Sequence, residues 1–200
     1  MLREFTPARD RDMPQSLPAI ARDALADLSR VLAAMPDSAA EPLLTAILSA
    51  RRIALHGLGR EGLQMKGLAM RLYHLGLDAH VVGEMTTPPV GAGDLLIVSA
   101  GPGDFASIAA LMARAKSAGA QTAVVTAQAD GGAAKRADAA LIIPAQTMAD
   151  DRGVAARSVL PMGSLYEAAM MLVFEVLVLQ LRDRLGQSAE AMRERHTNLE

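Results

Sequence analysis

Apolar and polar positions along this chain change period from one stretch to the next. Over residues 15–34 the apolar side chains fall at helical spacing (Leu17, Ile20, Ala21, Ala24, Leu25, Leu28, Val31, Leu32), which predicts an amphipathic helix. Met35-Pro36-Asp37 breaks it, and residues 41–50 read as a second, shorter helix. Short apolar runs then take over at 51–56, 79–82, 94–99, 121–126 and 139–143, bounded by Gly, Pro or Asp. Helical stretches separate several of them, notably 62–75, 105–118 and 133–137. Alternating strands and helices imply a parallel sheet, and strands that are apolar throughout imply that both its faces are covered. The expected architecture is α/β: a three-layer α/β/α sandwich on a five-stranded parallel sheet. Residues 1–14 read as a flexible arm and 15–200 as one domain: helices over 15–50, an α/β core over 51–145, and C-terminal helices over 163–200. A polar connection spans 145–159, and a last charged helix is expected over 188–195.

The stretch 165–181, LYEAAMMLVFEVLVLQL, is apolar on most of its circumference. Glu167, Glu175 and Gln180 interrupt it, and carboxylates at such depth are costly in a bilayer. A helix buried between the domain and a partner subunit accounts for it better, so a homo-oligomer is expected and a membrane partner is not.

Composition narrows the chemistry. The chain is 51% hydrophobic but only 2% aromatic, with Phe5, Tyr73, Phe105, Tyr166 and Phe174 as its phenyl and phenol rings and no Trp. Few stacking rings and a net charge of −2 argue against nucleic acid as a partner. Without Cys there is no disulfide, thiolate metal site or thiol nucleophile, and the four His are scattered without metal-ligand spacing. Residues 1–15 are charged and proline-broken with no apolar signal core, so a cytoplasmic protein is expected.

In open parallel sheets ligands bind beyond the carboxyl ends of the strands, which directs attention to loops 57–62, 83–89, 99–105 and 126–132. The first, with His56-Gly57-Leu58-Gly59-Arg60-Glu61-Gly62, contains G-x-G-x-x-G between a strand and a helix, and Glu84 follows Gly62 by about 22 residues. Three readings fit: a dinucleotide site, a bare tight turn, or a loop for another small ligand. Against the dinucleotide stand the absence of a second catalytic domain and of a pair of residues suited to hydride transfer.

The wider pattern favours the third. G-L-G-R-E-G, L-A-M-R-L-Y-H-L-G, V-V-G-E-M-T-T-P, D-L-L-I-V-S-A-G-P-G-D-F, P-M-G-S-L-Y-E and the terminal R-H-T-N-L-E follow in order. Together they resemble the sugar isomerase (SIS) domain and, within it, the 6-phospho-3-hexuloisomerase family, from about Arg51 to Glu200. The resemblance implies an aldose–ketose type isomerase that moves a carbonyl through an enediol, without cofactor or metal, in a dimer or tetramer. It implies Glu167 as the proton shuttle; the residues alone fit equally an acid favoured by a helix N-terminus. It also implies that His196 serves an active site, that of a neighbouring subunit included, whereas a terminal His is ordinarily a solvated surface residue. Gly59, Arg60, Glu61, Glu84, Thr86, Thr87, Ala100, Gly101, Gly103, Asp104, Phe105 and Tyr166 complete the expected substrate-binding set.

The chain departs from that family where a phosphate would sit. The family pattern has serine in G-R-S-G and hydroxyls in S-G-S-G-E-T; here the first serine position is Glu61, and Ala100, Pro102 and Phe105 replace Ser, Ser and Thr. Pro102 also lacks an N–H, and one like-charge pair at 4 Å costs about 4 kcal/mol at an effective dielectric of 20. Three expectations follow: an isomerase of a non-phosphorylated or differently substituted sugar, a phosphosugar isomerase binding phosphate through Arg60, Lys66 or Ser107, or a non-catalytic sugar-derivative-binding or regulatory domain.

Overall fold

The computed structural model describes residues 16–151 and 158–199. The arm expected at 1–14, and residues 152–157 of the connection, lie outside the described residues. The elements run α1 (Leu17–Ala33), α2 (Glu41–Ser49), β1 (Ile53–His56), α3 (Gly59–His74), β2 (Ala79–Val81), β3 (Leu95–Ser99), α4 (Ala106–Ser117), β4 (Gln121–Thr126), α5 (Gly132–Arg136), β5 (Ala139–Ile142), α6 (Ser164–Arg184) and α7 (Ala189–Glu194). All five strands are parallel, in the order β2-β1-β3-β4-β5. The three-layer sandwich is therefore as expected. Strand order reverses between β1 and β3, so a crevice opens above their carboxyl ends.

Side chains alternate between the two faces of the sheet, as strand geometry demands. Ile53, Leu55, Leu95, Ile97, Ala123 and Val125 join a core built with α1, α2, α3 and α6. Ala54, Leu96, Val98 and Val124 face the other way, against α4 and α5. Burial on both faces is why β3 reads as an unbroken apolar run, buried at all of its positions.

Two elements differ from expectation in extent. α3 begins at Gly59, not at 62, because Gly59 at φ +54 lets the chain turn straight from β1 into the helix. The turn is close: a Cβ on Gly62 would lie 2.5 Å from the Gly57 carbonyl oxygen. These glycines thus bring strand and helix together. α6 runs beyond 165–181, to Arg184, whose guanidinium pairs with Glu41 of α2. By length and composition alone α6 could cross a membrane, but half of its apolar window is buried within the chain. Leu165, Ala169, Met170, Val173, Leu177 and Leu181 fill the core, while Met171, Leu172, Val176 and Leu179 stay exposed.

Candidate active site

The N-termini of α3, α4 and α6 converge above the β1/β3 switch point. They enclose a cavity of about 510 Å³. Of the expected residues, Gly59, Arg60, Glu61, Phe105, Tyr166 and Glu167 line it. Leu58, Pro102, Thr147, Met148, Met162 and Gly163 also line it and were not among the expected site residues. Met162 lies inside a quoted motif, but only its backbone singles it out: φ +56, left-handed and next to Gly163 at φ +80. Such a conformation is costly for a side chain larger than glycine and persists where surrounding contacts hold it.

Those contacts come from Asp151, whose carboxylate accepts the Met162 N–H, and from Arg60. The Arg60 guanidinium pairs with Glu167 at 2.9 Å, donates to the Ser164 hydroxyl at 3.1 Å, and donates to the Met162 carbonyl. One side chain in the first turn of α3 therefore helps fix the turn before α6 and orients the carboxylate in its first turn. Burial pushes the Glu167 carboxyl above the usual glutamate range; Arg60 opposes that shift and the nearby Glu61 charge adds to it. A carboxylate whose proton affinity is raised in this way is suited to taking a proton from carbon.

Glu61 points inward. One of its oxygens, Oε2, accepts from the Ser99 hydroxyl and, at 3.0 Å, from the Gly101 N–H. Burial raises its affinity for a proton, and the two hydrogen bonds partly restore the charged form. Gly101 is packed so closely that a Cβ there would sit 2.7 Å from the Tyr166 ring and 2.8 Å from Glu61 Oε1. The Tyr166 hydroxyl is buried beside them and meets no partner at hydrogen-bonding geometry among the described residues. Its burial, with the Glu61 charge, holds the phenol well above its ordinary pKa, so it stays a donor.

Other expected residues fall elsewhere. Ala100 and Gly103 are buried in the turn behind the cavity, where the Ala100 carbonyl accepts from the Thr126 hydroxyl at 2.7 Å and from the Gly103 N–H at 2.8 Å. Asp104 is exposed and turned to Arg136 of α5. Glu84 lines a separate space of about 290 Å³ with Lys66 and the backs of Gly57 and Gly62. Thr86 is exposed, and the Thr87 hydroxyl is committed to the Val81 carbonyl at 2.6 Å. The loop after β2 is thus not joined to the Glu61–Glu167 cavity in a single chain.

His196 is the most distant. Its ring packs 5.3 Å from that of His74, in a cavity with Tyr73, Arg195 and Asn198. His74 ends α3 and Glu61 lies in its first turn; thirteen residues of helix separate them by about 20 Å. Within one chain His196 and Glu167 do not meet.

A sheet of this order with helix N-termini converging on a cavity at its switch point defines a class, and sequence comparison identifies it: the chain belongs to the SIS domain family, which it matches over residues 46–172. It is 36% identical over 176 residues to the 3-hexulose-6-phosphate isomerase of Bacillus subtilis, covering 88% of this chain and 95% of that protein. With the Mycobacterium gastri 3-hexulose-6-phosphate isomerase it shares 38% identity over 181 residues, covering 87% of this chain and 90% of the other. A Methanococcus jannaschii protein, whose crystal structure infers a molecular function of 3-hexulose-6-phosphate isomerase, superposes with a TM-score of 0.74 at 26% identity, covering 92% of this chain and 98% of that one. The resemblance read from the ordered motifs is borne out.

Proposed function

We propose that this protein is a sugar-phosphate-type isomerase that moves a carbonyl between adjacent carbons of a ketose or aldose, with Glu167 as the base. The observation that carries the reading is the Glu167 carboxylate on the cavity wall, shifted upward by burial and aimed by Arg60. Its place beside a cavity at the switch point favours catalysis over a mere helix N-terminal acid. Relatives named as hexulose phosphate isomerases support the same chemistry.

In the reaction, Glu167 takes the proton from the hydroxyl-bearing carbon next to the carbonyl. The electron pair left behind forms the carbon–carbon double bond of an enediol while the carbonyl oxygen gains a proton. Glu167 then returns its proton to the former carbonyl carbon, and the other oxygen loses its own to become the new carbonyl. No oxidant or reductant enters, because the oxidation level only changes place. His196, contributed by a neighbouring subunit, carries the proton between the oxygens. The exposed row Leu172, Val176 and Leu179 on α6 supports the required self-association, being apolar surface at helical spacing. A cytoplasmic location belongs to this reading, supported by the half-burial of α6 within an α/β fold.

The substrate differs from a phosphate monoester seated in a serine-rich cradle, since Pro102 and Phe105 bring no hydroxyl to the cavity and Glu61 brings a carboxylate. Solvent exchange tests the activity. Incubation with fructose 6-phosphate, or with a neutral ketose, in deuterated water should place deuterium on carbon for the accepted sugar. Glu167→Gln should abolish exchange and retain binding. Exchange at the wild-type rate in that variant overturns the assignment of the base.

A second reading, a sugar-derivative-binding or regulatory domain, rests on the separation of His196 from Glu167 in one chain. Binding of a sugar without exchange, in the oligomer, would favour it. The dinucleotide reading loses its basis once the glycines are accounted for by the close contact of Gly57 with Gly62.

A further inference from the structure

The carboxylate of Glu61 occupies the position of an anion in its own loop. The β3–α4 turn offers a hydroxyl from Ser99 and an N–H from Gly101, and both are spent on one oxygen, Oε2. Pro102 has no N–H to add, and Phe105 holds the N-cap position of α4 with no side-chain hydrogen bond. An anionic group arriving here would find the Ser99 and Gly101 donors taken and a carboxylate in place.

The second oxygen is in a different state. Glu61 is 9% exposed and lines the cavity, and its Oε1 makes no hydrogen bond to any described residue. Open to the cavity, this oxygen is an acceptor that a ligand donor can reach. The Tyr166 hydroxyl is buried beside it, near the Ser99 hydroxyl. Gly101 carries no side chain, and this keeps the carboxylate and the Tyr166 ring in contact with the loop.

We propose that Glu61 Oε1 is a subsite for a hydrogen-bond donor on the sugar, a hydroxyl or an ammonium group, and that Glu61 makes this end of the cavity reject phosphate. The proposal deepens the isomerase reading, on which it rests for the sugar class, by naming which part of the substrate faces the β3–α4 turn. Any phosphate on the substrate lies away from Glu61.

Binding in the Glu167→Gln background, where no turnover intervenes, separates this proposal from the isomerase reading. The probes are inorganic phosphate, D-fructose, D-glucosamine and D-fructose 6-phosphate, followed by calorimetry. In Glu61→Ser, Ser99 and Gly101 are released, so phosphate affinity should rise at least about tenfold while affinity for the preferred unphosphorylated sugar falls by a similar factor. Glu61→Gln keeps the shape and removes the charge. It should weaken glucosamine at least about tenfold if the donor is ammonium, and fructose by only about two- to threefold if the donor is hydroxyl. Unchanged phosphate and sugar affinities in both variants overturn the proposal, as does wild-type phosphate binding as tight as that of Glu61→Ser. Should Glu61→Ser fail to fold, an unchanged ligand profile in Glu61→Gln overturns it alone. Absence of deuterium exchange with a sugar that binds as described would instead overturn the isomerase reading.

Discussion

The guanidinium of Arg60 and the carboxylate of Glu167, separated by 107 residues in the sequence, meet at 2.9 Å on the wall of the cavity. The contact joins the first turn of α3 to the first turn of α6. It balances the burial that drives Glu167 toward its protonated form, and the same guanidinium, with Asp151, holds the left-handed turn at Met162.

Removing that balance should move the pH dependence of the reaction. Glu167 works as a base only when ionised, so the acid limb of kcat/KM reports its raised pKa. Arg60→Met deletes the influence that lowers it, and the limb should shift to higher pH with kcat reduced about 10²-fold through loss of orientation. Arg60→Lys should restore part of the charge balance but not the fork that also holds Ser164 and Met162. Conversely, Glu61→Gln should shift the limb to lower pH. Profiles of the three variants check the signs.

His196 is expected to act across a subunit boundary. Co-expression of Glu167→Gln with His196→Ala, each inactive alone, should recover about a quarter of wild-type activity if pairing in a dimer is statistical. Mixed oligomers with no recovered activity would remove His196 from the neighbouring site.

The outer face of α6 should hold the subunits together. Leu172 and Val176 are 42% and 47% exposed in the single chain, so Leu172→Glu with Val176→Glu should spare the fold. Light scattering after gel filtration should show an oligomer for the wild type and a monomer for the double variant.

Gly62 should be indispensable for packing and not for recognition of a nucleotide. Its Cβ would strike the Gly57 carbonyl oxygen, a backbone atom that cannot move aside. Gly62→Ala should destabilise the protein by about 1–3 kcal/mol, measured by urea unfolding.

Asp94 should set part of the acid stability. It is buried, accepts two bonds from Arg51 at 3.0 and 3.1 Å, and accepts the Gly91 N–H at 2.9 Å. Its hydrogen bonds to Arg51 depress its pKa against the opposing effect of burial. A depressed carboxylate stabilises the fold above its unfolded value, about 3.9, and that contribution disappears as pH falls through the lower folded value. Asp94→Ala should cost about 2 kcal/mol at pH 7 and flatten this part of the acid limb of the stability curve.

Much of this was legible in the sequence because it depends on local pattern. Unbroken apolar runs such as 95–99 can be satisfied only by a sheet covered on both faces, and their alternation with helices forces the strands to be parallel. The ordered motifs from Gly57 to Glu200 were enough to reach the SIS family, and Glu167 and Arg60 were visible as polar residues at strand-end or helix-start positions. Glu61 was visible too, as an acid where a serine was expected. By contrast, nothing in the spacing separated Glu84 from the cavity, or set Thr147, Met148 and Met162 on its wall.

The sequence by itself determined the elements, their parallel arrangement and the family, because periodicity and turn residues act over a few neighbours at a time. Tertiary structure alone decided that Arg60 meets Glu167, that Glu61 spends one oxygen on Ser99 and Gly101 and leaves the other to the cavity, and that His196 rests at the opposite end of α3. Burial, partner and distance are properties of the packed chain, summed over segments far apart in sequence. These properties set the proton affinity of each carboxylate, and no local pattern contains them.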